Sequence, residues 1–114
     1  MAELLGTFEQ IVLLSVLDLG EDAYGRSVFL AVRKALQQER TVTAGAVYTT
    51  LDRLEAKELL SSRLETGAAV RAGRPRRFYK LTSLGASSLS DVRRTLETMW
   101  QGKRWPLEVY AWNT

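Results

Sequence analysis

Cysteine and histidine are both absent from this 114-residue chain. Without thiols there is no disulfide, no thiolate nucleophile and no Cys-ligated metal, and without imidazole the Ser-His-Asp and Cys-His triads and most zinc sites fall away. Acid–base work would rest on carboxylates, lysine or tyrosine alone. The acidic pair Glu55 and Glu58 lies three apart on a helix and reads as a solvated surface. No enzyme, cofactor or metal site is expected. Long apolar runs are lacking too: the densest, Ile11 to Leu17, is interrupted by Ser15 and falls well short of the roughly 20 residues of a membrane-spanning helix. Glu3 stands where a signal peptide would carry positive charge. A soluble cytoplasmic protein is the expectation, and length and a 46% hydrophobic content fit one domain.

Charge of one sign is scarce except in one place. Net charge is +3, yet residues 61–80 hold 6 basic and 1 acidic side chain, which leaves the rest of the chain slightly acidic. A single basic segment points to a localised anionic partner, nucleic acid first. A solvated charged hairpin is the plain alternative.

Periodicity divides the chain. A first helix is expected from about Thr7 to Asp18, where Thr7 and Gln10 have capping-box spacing and the apolar content calls for burial on more than one side. Gly20 should end it, and a second helix runs from about Ala23 to Gln38 with Val28, Phe29, Val32, Ala35 and Leu36 inward. Thr43 is a fitting N-cap for a third helix, 44–57, whose inward stripe is Ala44, Val47, Leu51 and Leu54. Gly45, Thr49, Asp52, Arg53 and Ala56 are left facing out. After Glu58 the period drops to 2, predicting a two-stranded hairpin across 61–80 with a long basic tip between Thr66 and Pro75. Thr82 or Ser83 then caps a last helix to about Gly102, ~30 Å long at about 1.5 Å per residue. Its stripe of Leu89, Val92, Leu96 and Met99, broadened by Trp100, suits self-association; folding back on its own domain is the alternative. The tail after Lys103 holds Trp105, Tyr110 and Trp112, too aromatic for a simple disordered end.

Three short helices, the third slim and polar on its free face, then a basic hairpin, describe a mainly α, α+β winged helix-turn-helix with a long C-terminal dimerisation helix. The division is 1–82 for DNA binding, 83–103 for the dimerisation helix and 104–114 for the aromatic tail. In that architecture the third helix reads base edges in the major groove and the wing follows the backbone. Gly45 permits close approach, Thr49 and Arg53 lie one and two turns along the same face, and Tyr48 with Thr50 flanks it. Thr43 at the helix start can donate to a phosphate near the positive end of the helix dipole. Arg71, Arg74, Arg76 and Arg77 supply sequence-independent attraction. Arg53 is the leading candidate for a guanine contact, with an ion pair to Glu55 or Glu58 as its alternative use.

Three blocks carry a family resemblance: Ala23-Tyr24-Gly25, the run from Gly45 through Tyr48, Leu51, Arg53 and Leu54 to Lys57, and the run from Gly73 through Arg74-Pro75-Arg76-Arg77-Phe78-Tyr79 to Gly85. Together, across about residues 7 to 86, they resemble the PadR family of bacterial transcriptional regulators. The resemblance implies a winged-helix homodimer that represses from a pseudo-palindromic double-stranded operator, with ligand-induced release in many members. It also implies that Tyr48 and the wing arginines lie at the DNA surface. Two departures stand out. Many members have glycine after the recognition helix where this chain has Glu58, and longer members add a separate C-terminal helical domain where this chain has one helix. It thus resembles the compact subclass, in which a flat hydrophobic effector can sit between the last helices against a tryptophan. By spacing from Gly85 that position is Leu96, with Trp100 one turn later, and these two residues mark the expected ligand site, plain dimer packing being the other use. A winged-helix module for protein contact, without DNA specificity of its own, is the competing function.

Overall fold

The computed structural model describes residues 4–37, 41–66 and 75–103. Among these residues four helices and one hairpin follow in the order α1 (Thr7–Leu19), α2 (Gly25–Ala35), α3 (Ala44–Ala56), β1 (Leu60–Glu65), β2 (Arg76–Leu81) and α4 (Ser83–Trp100), with a 3₁₀ turn at Gly20–Asp22. The start of α1 is capped differently from the expectation. Gly6, not Thr7, is the N-cap, and Glu9 rather than Gln10 reaches back, its Oε1 accepting from the Gly6 N–H at 3.2 Å. Gln10 instead donates to the Leu5 carbonyl at 2.9 Å. A carboxylate is the better partner in the first turn, where it also meets the positive end of the helix dipole.

α2 starts two residues later than its pattern suggests because Ala23 and Tyr24 are drawn into the sheet. The Tyr79 N–H donates to the Ala23 carbonyl at 2.8 Å, and Tyr24 bridges Phe78. Tyr24 then caps α2, its N–H donating to Ser27 Oγ at 2.9 Å. The helix ends at Ala35, and Gln38 lies outside the described residues. Thr43 caps α3 as expected, Oγ1 accepting from the Ala46 N–H at 3.1 Å, a contact worth about 1 kcal/mol.

Val12, Leu13 and Val16 of α1, Val28 and Val32 of α2, and Val47, Leu51 and Leu54 of α3 form the core with Leu59, Leu60 and Tyr79 from the hairpin side. A lone hairpin is marginal in water, so this docking is what makes the sheet possible. The strands are antiparallel, Leu60 opposite Leu81 through Glu65 opposite Arg76. Burial fades from Leu60 outward until Leu64, alternating inward by sequence, is exposed. The hairpin is anchored at its base, and at Leu64 the first strand no longer packs on the helical body.

The turn from α3 into β1 places Glu58 at φ 64°, in the left-handed region that glycine enters without strain. The backbone keeps a glycine-like geometry despite the acidic side chain. Glu58→Gly is therefore expected to raise stability by about 0.5–1 kcal/mol, the relieved strain less the extra chain entropy of glycine. A denaturant melt reads this, and an unchanged or lower midpoint would contradict it.

α4 begins with Thr82 as its N-cap, Oγ1 accepting from the Gly85 N–H at 3.0 Å. Gly85, Ser88 and Val92 are buried, whereas every residue from Arg93 to Trp100 is exposed. α4 ends at Trp100, two residues short of Gly102, and it does not fold back along its whole length. The two-sided burial expected of α1 is likewise unmet within one chain, for Leu14 and Leu17 are half or more exposed. No helix of the described residues is long and apolar enough to cross a membrane.

Candidate nucleic-acid interface

The outward row of α3 is as its period requires. Gly45, Thr49, Asp52, Arg53 and Ala56 are all exposed, while Val47, Leu51 and Leu54 are fully buried. Thr50 is a correction to the sequence reading. It is only 4% exposed, and its hydroxyl donates to the Ala46 carbonyl at 2.8 Å, so it belongs to the inner face rather than beside Tyr48. A threonine inside a helix can satisfy its hydroxyl on the preceding turn, which makes burial inexpensive.

Tyr48 lies along one edge of this row, 41% exposed, with its ring against the start of α2. A Cβ on Gly25 would stand 3.1 Å from Tyr48 Cε1, so the absence of a side chain at Gly25 lets the ring lie against the helix end. On the opposite edge Arg53 is exposed and pairs with neither Glu55 nor Glu58 among the described residues. Its charge reaches Glu9, which Lys57 contacts at 3.1 Å. Burial pushes the Glu9 carboxyl up, but the hydrogen bonds from Lys57 and the Gly6 N–H, with the charges of Lys57 and Arg53, hold it below the ordinary glutamate value. Thr43 keeps its hydroxyl proton free for another acceptor, since the oxygen only accepts within the cap.

The base of the wing is tied to the same place. The Arg76 guanidinium lies 4.0 Å from the centroid of the Tyr24 ring, Tyr24 meets Phe78 edge-on with centroids 5.5 Å apart, and Arg63 lies 5.2 Å over Phe78. This alternation of cations and rings sets the hairpin against the start of α2. Arg77 is exposed but engaged, donating to Ser62 Oγ at 2.8 Å, and the Ser62 hydroxyl in turn donates to Glu55. Arg71 and Arg74 lie outside the described residues. Burial pushes the Tyr79 phenol up, and the charges of Asp52 and Glu55 add to this while Arg77 opposes it. Both carboxylates are thus felt at the wing base.

Tyr24 and Arg63 carried no assigned role in the sequence reading. The aromatic residue directly ahead of Gly25 is a signal for the first, whereas the second is marked only by the hairpin register, which sets Arg63 opposite Phe78. The structure therefore brings the three sequence blocks together: Tyr24 and Gly25 from the first, Tyr48 from the second, Arg76 and Phe78 from the third. Of the α4 stripe, Val92 is buried and Leu89 half-buried, whereas Leu96, Met99 and Trp100 are exposed. Leu96 and Trp100 border an open groove of about 430 Å³ shared with Leu14 and Leu17 of α1.

Comparison with known proteins agrees with this architecture. The model of the transcriptional regulator PadR-like family matches residues 13–91. The transcriptional regulator Rv3488 of Mycobacterium tuberculosis is 43% identical over 58 residues, 51% of this chain and 50% of that protein, so the chain spans about half the length of this curated relative. A solved PadR-like transcription factor from Bacteroides fragilis has a TM-score of 0.64 at 27% identity, over 82% of this chain and 84% of that one. Bordetella bronchiseptica BpsR, whose structure addresses regulation of its DNA binding by 6-hydroxynicotinic acid, shares the fold at a TM-score of 0.61 and 22% identity, over 95% of this chain and 74% of that one. With the matched region running from within α1 through the wing into α4, the chain belongs to the PadR-like family of transcriptional regulators.

Proposed function

We propose that this chain is a sequence-specific, DNA-binding transcriptional regulator that works as a homodimeric repressor on a pseudo-palindromic operator. Residues 1–82 form the DNA-binding part, with α3 in the major groove and the wing, 61–80, along the backbone, and the helix within 83–103 joins two copies. The observation that carries this reading is the convergence of an exposed, small-residue face on α3 with the base of a basic hairpin held by Arg76 over Tyr24. Gly45, Tyr48, Thr49 and Arg53 read or flank the bases, Thr43 takes a phosphate, and the wing arginines 71, 74, 76 and 77 add attraction without sequence preference. The exposed Leu96, Met99 and Trp100, with Leu89 and Val92 behind them, supply the face that a second copy covers.

The groove beside Leu96 and Trp100 suits a flat hydrophobic effector whose binding releases the DNA. Quenching of tryptophan fluorescence by planar aromatic compounds, accompanied by loss of DNA binding, checks this, and no quenching would remove the effector from the account.

The function is tested by binding of the purified protein to the DNA upstream of its own gene and to a scrambled duplex. Preference for the first supports the regulator, whereas equal binding to both, or none, favours a module that contacts protein. The wing gives a second readout. Replacing Arg74 and Arg76 with Ala should weaken binding to both duplexes alike and flatten the dependence of log K on log salt by up to about two, near 0.9 per lost phosphate contact. An unchanged slope would show that these arginines do not touch phosphate.

A further inference from the structure

We propose that Asp52 is a specificity-determining residue of the α3 surface, accepting a hydrogen bond from the exocyclic amino group of a cytosine in the major groove. The inference rests on the DNA-binding reading above and deepens it. Asp52 sits in the exposed row with Gly45, Thr49 and Ala56, whose small side chains allow a base edge to come close. The residues three and four positions away along α3 are Tyr48, Thr49, Glu55 and Ala56, none of them basic. Asp52 enters no hydrogen bond or ion pair among the described residues. Of the other acidic side chains on α3 or against it, Glu55 takes the Ser62 hydroxyl and Glu9 holds Lys57. Asp52 is left as an uncommitted carboxylate in the middle of the face that would meet a polyanion.

Such a group repels phosphates and has no proton to give, so it is tolerated only where the groove offers it a donor. Guanine presents two acceptors there and thymine one, both of which repel a carboxylate. Adenine offers its N6 amino group beside the N7 acceptor, which the second carboxylate oxygen would face. Cytosine offers its N4 amino group with no acceptor on its own major-groove edge, where only C5–H lies beside it. One short side chain thereby attracts one base and disfavours the others, the combination that specificity requires. Its charge also lowers affinity for arbitrary sequence, which keeps the basic wing from holding the protein on any duplex.

The experiment enriches duplexes from a randomised library with the full chain and with its Asp52→Asn and Asp52→Ala variants, then compares affinities for the selected and a scrambled duplex. The unmodified chain should enrich a motif with cytosine at one position. Asp52→Asn should move that position to adenine, since a carboxamide both accepts from N6 and donates to N7. Asp52→Ala should lose preference at that position alone, bind the scrambled duplex several-fold more tightly and discriminate about 5- to 150-fold less well, the range for one base contact. Asp52 is exposed, so all three proteins should melt together. If the variants enrich the same motif as the unmodified chain, Asp52 reads no base and the proposal is overturned while the DNA reading stands. If the unmodified chain enriches no motif, both fall.

Discussion

Gly85→Ala is expected to lower stability by about 3 kcal/mol or more, the upper part of the range for overpacked cores, and to bring the melting temperature down by about 10–20 °C. A Cβ at this position would stand 2.1 Å from the Leu59 carbonyl oxygen and 3.1 Å from the Leu59 carbonyl carbon. Neither side can yield cheaply. The Leu59 oxygen already accepts from the Thr82 N–H at 3.1 Å, and the Thr82 hydroxyl donates to the Glu58 carbonyl at 2.6 Å while accepting from the Gly85 N–H. Moving α4 away would break this whole junction between the end of α3 and the start of α4. Gly45→Ala is the matched control. Only Thr43 Oγ1, at 4.0 Å, comes near a Cβ there, so the melt should be unchanged or slightly higher because alanine is the better helix former. A Gly85→Ala protein that melts with the unmodified chain would mean that α4 is not seated on Leu59.

Leu96→Asp is expected to convert dimers to monomers in sedimentation and to reduce affinity for the operator by about 100-fold or more, since each half-site would then be held by an independent molecule. The melt of a single subunit should hardly change, because Leu96 is 47% exposed there and buries little against its own domain. In the proposed dimer the cost falls instead on the association of two copies, where a carboxylate would be enclosed among Leu89, Met99 and Trp100 without a partner. The groove against Leu14 and Leu17 would be disrupted by the same change, so any quenching by planar aromatic compounds should vanish with the dimer. A dimer that survives the substitution would move the interface away from this helix.

The elements themselves were legible because their signals are local and repeat. The 3,4,3 rhythm of Ala44, Val47, Leu51 and Leu54, the cap at Thr43 and the change to period 2 after Glu58 each depend on neighbours only a few residues away. What escaped depends on contacts between distant segments. The late start of α2 follows from Tyr79 taking the Ala23 carbonyl, which nothing near Ala23 announces. Thr50 is the local exception: it stands three after Val47 and four before Leu54, on the inward stripe, and its hydroxyl is satisfied one turn back by Ala46. Gly6 rather than Thr7 caps α1, and the Glu9 carboxylate that reaches back to it also accepts from Lys57, 48 positions away. The aromatic and arginine stack of Arg76, Tyr24, Phe78 and Arg63 required the register of the hairpin before it could be recognised. Glu58 shows the opposite case, in which the backbone holds a left-handed turn that its residue type argues against.

The central claim is that one continuous surface, made by the outer row of α3 and the base of the wing, meets the DNA. Isotope-labelled protein titrated with its upstream duplex, followed through backbone amide chemical shifts, tests this most directly. The account predicts that the changes concentrate at Thr43 to Ala56, at the start of α2 around Tyr24 and Gly25, and on both strands of the wing, with the exposed row of α1 at Leu14 and Leu17 unaffected. Changes centred on α1 and α4 instead, with α3 and the wing silent, would contradict it.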